Sequence, residues 1–288
     1  MILTILHPGE MGASVAAAAI SSGHRVLWVS EGRSEATKQR SLSLQLEDVG
    51  TLAAIHESDI VFSICPPHAA IQMAKDVSET GFKGLYVDAN AGSPEKKLLI
   101  NELLQGENID FVDGGIIGPP ANSEGSTRLY VSGERCKEVA AVFTDGFLGV
   151  QPLEGEIGKA AALKIAYAAW TKGSSALILA VRAMARNSGV EEDLLYEWGL
   201  SQPNAEAMTS LSATLNSPKA WRFVSEMDEI SKTFAANGVP NNFWDAAAEV
   251  YDRLKDFKNL PHDQVNVDSV IQKPVSYTHL TLPTNREV

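Results

Sequence analysis

The chain has 288 residues, 44% of them hydrophobic, and a formal net charge of -12 at pH 7; a chain of that size buries a large core and is expected to split into two domains. The acidic balance excludes nucleic acid and anionic membrane as expected partners and leaves a soluble metabolic protein. Cys65 and Cys136 are too few and too isolated for a disulfide scaffold or a zinc site, so no metal is expected and a reducing cytoplasm is the expected compartment.

In chain order, the apolar start MILTIL meets His7-Pro8-Gly9 without a basic leader, so residues 2–6 read as a first strand and not as a signal peptide. His7-Pro8-Gly9-Glu10-Met11-Gly12 then turns into an Ala-rich helix over 13–22. Strand, glycine turn and helix in succession make the first half of a mononucleotide-binding unit. Residues 24–30 give a second strand, and Ser34 caps the helix that follows. The run 60–65 is almost continuously apolar, the mark of a strand covered on both faces, and Pro66-Pro67 ends it at the rim where a ligand would lie. Residues 85–89 give another buried strand; Ser93-Pro94-Glu95 opens a helix with an N-cap, a proline at the first position and an acid near the positive dipole end. Residues 109–112 and 129–131 supply the last strands, and the glycine-rich stretch 113–120 reads as a loop between them.

Over 155–187 Ala, Leu and Ile dominate, proline is absent and only Gly173 weakens the interior, so one helix of roughly 45 Å is expected. A helix that apolar should be buried nearly all round, more easily by a second subunit than by a small domain, and a homodimer is expected. Its lysines and Arg182 argue against a membrane span. Further helices are expected over 191–198, 204–215, 220–237 and 242–257. The expected fold is therefore α/β: an N-terminal doubly wound Rossmann-type sheet over 1–154, then an all-helical domain over 155–262 that closes the cleft. The sequence changes character at 274–288. PVSYTHL, residues 274–280, can be reverse-translated onto a transposon-end sequence used in sequencing libraries, so this stretch reads as a non-native tail.

The turn departs from GxGxxG at its first position, where His7 stands, while Gly9 and Gly12 keep the second and third. A residue before proline is held extended, which a non-glycine adopts; Gly9 leaves room for a pyrophosphate and Gly12 lets the helix pack close. Pro8, Gly9, Glu10, Met11 and Gly12 are thus candidate dinucleotide-binding residues, with an ordinary tight turn as the plain alternative. After the second strand an NAD enzyme places an acid on the ribose 2'-hydroxyl, and an NADP enzyme a small polar residue with an arginine. Ser30 stands at the acid's position and Arg33 with Ser34 suits a phosphate, so NADP is favoured over NAD; a solvated turn of Glu31 and Arg33 is the alternative. Cys65, Pro66, Pro67 and Asn90, at the ends of two further strands, complete the candidate cofactor rim.

The segments Pro8-Gly9-Glu10-Met11-Gly12, Ser22-Gly23-His24-Arg25-Val26, Asp88-Ala89-Asn90-Ala91-Gly92-Ser93-Pro94, the stretch 113–118, Gly125-Ser126-Thr127 and the segment 158–164 resemble, in that order, the landmarks of the β-hydroxyacid dehydrogenase family. That family includes 3-hydroxyisobutyrate and 6-phosphogluconate dehydrogenases, and the resemblance covers nearly all of residues 1–260. The tract LKIAYAAWTKG, 163–173, most resembles a branch with a C-terminal domain of unknown function. The resemblance implies that Lys164, closing the segment GKAAALK, is the catalytic lysine. The chemistry agrees: a group must take the hydroxyl proton as hydride leaves, and a partly desolvated lysine is tunable from about 10.4 toward 7 to 8 for this. Snorkelling or an ion pair is the plain alternative for any helix lysine.

Departures from the family pattern are equally specific. Four residues after the lysine the family has an asparagine, and this chain has Ala168; Tyr167 and Thr171 share the face of Lys164 and offer hydroxyls, Tyr167 as a second catalytic candidate, with core packing as the alternative for both. The family's DxPVSGG stretch reads here with Ile117 in place of the serine, so a substrate carboxylate would rely on the backbone of Gly114, Gly115 and Ile116 or on another residue. A lysine-aspartate pair on a later helix is missing, with Ser225 and Glu226 nearest it. Arg128, Lys172, Arg222 and Asn90 remain as candidates for an anionic substrate, plain surface positions being the alternative for the arginines. The expected function is an NADP-preferring oxidoreductase acting on a small hydroxyacid or its carbonyl form. An imine reductase-like enzyme, against which Lys164 weighs, and a non-catalytic NADP-binding sensor or scaffold are the rivals.

Overall fold

A computed structural model describes residues 1–274; residues 275–288, which carry nearly all of the stretch read as a non-native tail, lie outside the described residues. The chain divides into two compact units, Met1–Tyr167 and the residues from Ala168 onward. The division falls within the long helix.

The first unit contains β1 (Ile2–Ile5), α1 (Glu10–Ser21), β2 (Arg25–Trp28), α2 (Glu35–Ser43), β3 (Glu47–Asp48), β4 (Ile60–Ser63), α3 (Ala70–Ser78), β5 (Leu85–Asp88), α4 (Pro94–Gln105), β6 (Asp110–Ile117), β7 (Thr127–Ser132), α5 (Cys136–Val142) and β8 (Leu148–Leu153). Its strands form one sheet in the order β3-β2-β1-β4-β5-β6-β7-β8, antiparallel only between β6 and β7. The first six strands have the doubly wound order. The chain reverses direction across the sheet between β1 and β4, which puts a ligand cleft at the C-terminal ends of those two strands.

Alternation of side chains along the strands builds two cores. Leu3 and Ile5 of β1, Phe62 of β4 and Val87 of β5 pack with Val15 and Ala19 of α1 and Val139 of α5. On the other face Val61 and Tyr86 pack with Ala74 of α3 and Ile100 and Leu104 of α4. Both expected N-caps form: Ser34 accepts from the Thr37 amide at 3.3 Å and Ser93 from the Lys96 amide at 3.4 Å.

The sheet corrects two expectations. The glycine-rich stretch 113–120 is not a loop as far as Ile117: β6 runs through it, pairing Asp113 with Asp88 and then Gly114 to Ile117 with β7. Strand β8 was not expected at all. It is an edge strand carrying Gly149 and Pro152, residues that erase the usual strand pattern and that an edge tolerates.

The long helix, α6 (Lys159–Asn187), continues into the second unit, which also holds α7 (Glu191–Ser201), α8 (Ala205–Asn216), α9 (Ala220–Ala236), α10 (Asn242–Arg253) and α11 (Val267–Gln272). Edge-to-face packing of Phe223 on Tyr251, centroids 5.2 Å apart, and the Phe234 and Trp244 rings at 4.7 Å join α9 to α10. Burial of α6 all round does not hold within one chain. Trp170 is 73% exposed, Leu177 48% and Met184 58%, and with Leu163 they recur every seventh residue as one apolar stripe.

Candidate active site

At the C-terminal end of β1 the turn His7–Gly12 enters α1 with Gly9 as N-cap and no side chain bonded to the first amides. Those amides and the dipole behind them are therefore open to an anion. A Cβ on Gly12 would lie 2.1 Å from the His7 carbonyl oxygen, whereas one on Gly9 would meet nothing within 4 Å. Gly12 is thus a close-packing position, and Gly9 leaves space at the start of the helix. Pro8 is buried, and its carbonyl accepts from Arg40 of α2 at 3.3 Å, tying the turn to the neighbouring helix. Glu10 is exposed and Met11 half-buried.

Beyond β2, Ser30 accepts the Arg33 amide in a turn at 3.1 Å. The Ser34 hydroxyl is occupied in capping α2. Arg33 is half-buried and forms no ion pair with any described residue, and its Nε is sealed from solvent without a partner. A guanidinium in that state is prepared for an anion. Next to it His7 is held down at about 4, by burial first and by the charge of Arg33 second, so its ring is neutral at pH 7. These features fit a dinucleotide: an uncapped helix start, space over Gly9 and an arginine without a carboxylate.

Across the cleft, Cys65 donates its amide to the Asn90 side-chain oxygen, and the Asn90 Nδ2 donates to the Ser63 hydroxyl at 3.0 Å. Asn90 is buried, and both ends of its amide are used in shaping the Cys65-Pro66-Pro67 rim. Burial pushes the Cys65 thiol up, away from thiolate reactivity.

Lys164 stands on α6 against β6. A Cβ on Gly115 would lie 2.8 Å from the Ala160 carbonyl and 3.0 Å from the Lys164 Cβ, so the glycine in the strand is what lets the helix approach. Gly114 and Ile116 flank it in β6, and Ile116 is buried. Tyr167 is exposed, and Ala168, at the family's asparagine position, is buried. The Thr171 hydroxyl donates to the Ala168 carbonyl at 3.5 Å. Arg128 of β7 donates to the Gly125 carbonyl at 2.8 Å, bracing the preceding loop. In the second unit Lys172 pairs with Glu226 and sits 4.4 Å from the Phe223 ring centre. Arg222 is mostly exposed and lies 3.9 Å from the same glutamate.

Sequence reasoning missed the group that fixes this geometry. Lys97, on α4, is 1% exposed and donates to the carbonyls of Asp88 at 2.8 Å, Asn90 at 3.1 Å and Gly114 at 3.2 Å. Its Nζ also lies 3.0 Å from the Asp88 carboxylate and 3.4 Å from that of Asp113. Burial alone would lower its basicity; the two aspartates outweigh burial and raise it, so the ammonium persists. The other Asp113 oxygen accepts from the amides of Gly158 at 3.1 Å and Ala161 at 2.9 Å and from the Ser132 hydroxyl at 3.1 Å. Asp113 is therefore the N-terminal cap of α6. The signal available in the sequence was the spacing Lys97, Ile100, Leu104, which puts a lysine on the buried face of α4.

Two family matches accompany this geometry. Residues 2–92 match the family described as NADP oxidoreductase, coenzyme F420-dependent, and residues 185–254 match a domain of unknown function, DUF1932. An uncharacterized 28.5 kDa protein of Methanothermus fervidus is 30% identical over 168 residues, covering 57% of this chain and 63% of that protein, less than two thirds of its length. Among solved structures, a conserved protein of unknown function, described as structurally similar to 3-hydroxyacid dehydrogenases, shares 25% identity at a TM-score of 0.70, over 89% of this chain and 98% of its own. The 3-hydroxyisobutyrate dehydrogenase of Mycobacterium tuberculosis, solved with L-serine, superposes at 0.69 with 15% identity, over 96% and 99% of the two chains. A reductive aminase from Aspergillus terreus, in complex with NADPH and ethyl levulinate, superposes at 0.55 with 18% identity, over 93% and 97%.

The fold is thus the one shared by the hydroxyacid dehydrogenases and the reductive aminases. The chain itself is similar to the NADP oxidoreductase family over residues 2–92 and to a domain of unknown function over residues 185–254, on a fold resembling that of the 3-hydroxyacid dehydrogenases.

Proposed function

We propose that the protein is an NADP-preferring oxidoreductase that moves hydride between the nicotinamide and a small hydroxyacid or its carbonyl form, with Lys164 as general acid and base. The observation that carries the reading is the seating of Lys164 against Gly115 in the unit that also holds the uncapped α1 turn and the unpaired Arg33. The cofactor supplies or accepts the hydride. Lys164 takes the hydroxyl proton in oxidation and returns one to the carbonyl oxygen in reduction, a contribution of about a hundred- to ten-thousand-fold. The backbone of Gly114, Gly115 and Ile116, with Arg128, holds the substrate in this reading, and Tyr167 is the hydroxyl neighbouring the lysine. Thr171, Lys172 and Arg222 are candidates for completing the site. Pro8, Gly9, Glu10, Met11, Gly12, Ser30, Arg33 and Ser34, with the rim from Cys65 to Pro67 shaped by Asn90, hold the dinucleotide.

Titration with NADPH and NADH, followed by a panel of hydroxyacids and their keto forms at pH 7 and pH 9, tests this. Tighter NADPH binding and turnover of at least one hydroxyacid are expected. Binding without turnover would leave the sensor reading, and turnover only of cyclic imines or of ketone-amine mixtures would move the assignment to imine reduction.

A further inference from the structure

His7 is not explained by its backbone. The first glycine of a GxGxxG turn is usually kept for conformational freedom, yet His7 does not have a positive φ, so the backbone here accepts any residue and the imidazole must be accounted for by what it does. It sits on the β1–α1 turn, Arg33 on the β2–α2 turn, and β1 and β2 are parallel neighbours with Ile5 opposite Trp28, which brings both turns to the same edge of the sheet.

Neither side chain hydrogen-bonds to any described residue. The sealed atoms are the Nδ1 of His7 and the Nε of Arg33; the His7 Nε2 and the terminal Arg33 nitrogens are not sealed. A buried N–H without an acceptor costs more than a buried lone pair, so the favoured neutral tautomer carries its proton on Nε2. His7 then offers one N–H donor on the same side as an unpaired guanidinium. An oxyanion with several acceptor oxygens satisfies both at once, as a phosphate monoester does.

We infer that His7, together with Arg33, binds the 2'-phosphate of NADP(H), making His7 a specificity residue for the dinucleotide. This rests on the nicotinamide-dinucleotide reading above. It also gives a sign opposite to that of the glycine turn alone: restoring glycine at position 7 should improve a generic pyrophosphate site, but here it removes a phosphate donor.

Calorimetric titration of NADPH, NADH and 2',5'-ADP into the wild type, His7→Gly, His7→Gln and Arg33→Ala tests the inference without requiring turnover. His7→Gly is expected to weaken NADPH and 2',5'-ADP at least ten-fold while NADH changes less than three-fold, which also shows that the variant is folded. His7→Gln keeps an N–H donor and is expected to stay within three-fold of the wild type; Arg33→Ala follows His7→Gly. Unchanged or tighter NADPH binding in His7→Gly overturns the inference while leaving the dinucleotide reading intact. Equal weakening of NADH and NADPH overturns the assignment to the 2'-phosphate. A wild type that binds neither dinucleotide overturns both readings.

Discussion

Asp113 links Lys97 to the first turn of α6: one carboxylate oxygen lies 3.4 Å from the lysine Nζ, and the other accepts the Ala161 amide at 2.9 Å. Ala161 is one turn before Lys164 on the same helix. The seat of the proposed catalytic lysine is thus set by a buried charge pair between β6 and α4, with Asp88 as the third member.

Lys97→Met is expected to destabilise the protein by about 3–5 kcal/mol, because it leaves two sealed carboxylates facing each other without a cation. Chemical denaturation measures this. The exposed pair Lys137 and Glu154, 3.2 Å apart, serves as the control, and Lys137→Met should have little measurable effect.

Asp113→Ala removes the cap from α6 and is expected to lower kcat at least ten-fold with NADPH affinity within two-fold, because the dinucleotide turn lies on other strands. Asp113→Asn retains an acceptor for the Ala161 amide and should recover part of the rate. Val139→Ala, a core change on α5, is the control for destabilisation alone and should leave kcat near the wild type.

Gly115→Ala places a methyl group 2.8 Å from the Ala160 carbonyl and 3.0 Å from the Lys164 Cβ. One of the two elements must shift, and an activity loss of ten-fold or more is expected with the fold retained. A crystal structure of the variant should show α6 displaced from β6.

The depressed basicity of His7 makes stability depend on pH. Unfolded, His7 takes up a proton near 6.5; folded, it does so only near 4. The unfolded state therefore binds more protons between those values, and the protein loses stability as pH falls through that window, by up to about 3 kcal/mol from this group. His7→Gln should flatten the dependence of Tm on pH between 6.5 and 4.5.

The apolar stripe on α6 suits the homodimer expected from the sequence, since exposed positions recurring every seventh residue are what a facing helix covers. Trp170→Glu with Leu177→Glu is expected to raise the dimer dissociation constant at least a hundred-fold by sedimentation. A wild type that sediments as a monomer at micromolar concentration would contradict the dimer.

What was legible in the sequence was local. The glycine turn, the caps at Ser34 and Ser93 and the long helix each depend on residues within a few positions of one another. Gly114-Gly115 misled because paired glycines signal a turn, whereas here they lie in a strand and Gly115 admits α6. Lys97 was legible only in its place on the α4 face that Ile100 and Leu104 bury; Asp88 and Asp113, which hold its charge there, are brought together only by the pairing of β5 with β6. The apolar run over 155–187 showed that α6 needs more cover than a small domain supplies, but not that Trp170 is among the positions its own chain leaves open.

Lys164 is the proposed carrier of the proton. Single-turnover hydride transfer should be measured in Lys164→Ala, with the hydroxyacid on which the wild type is most active, alongside NADPH titration of the same protein. A rate at least a hundred-fold below the wild type, with NADPH affinity unchanged, is the predicted result; a rate within three-fold of the wild type would contradict it.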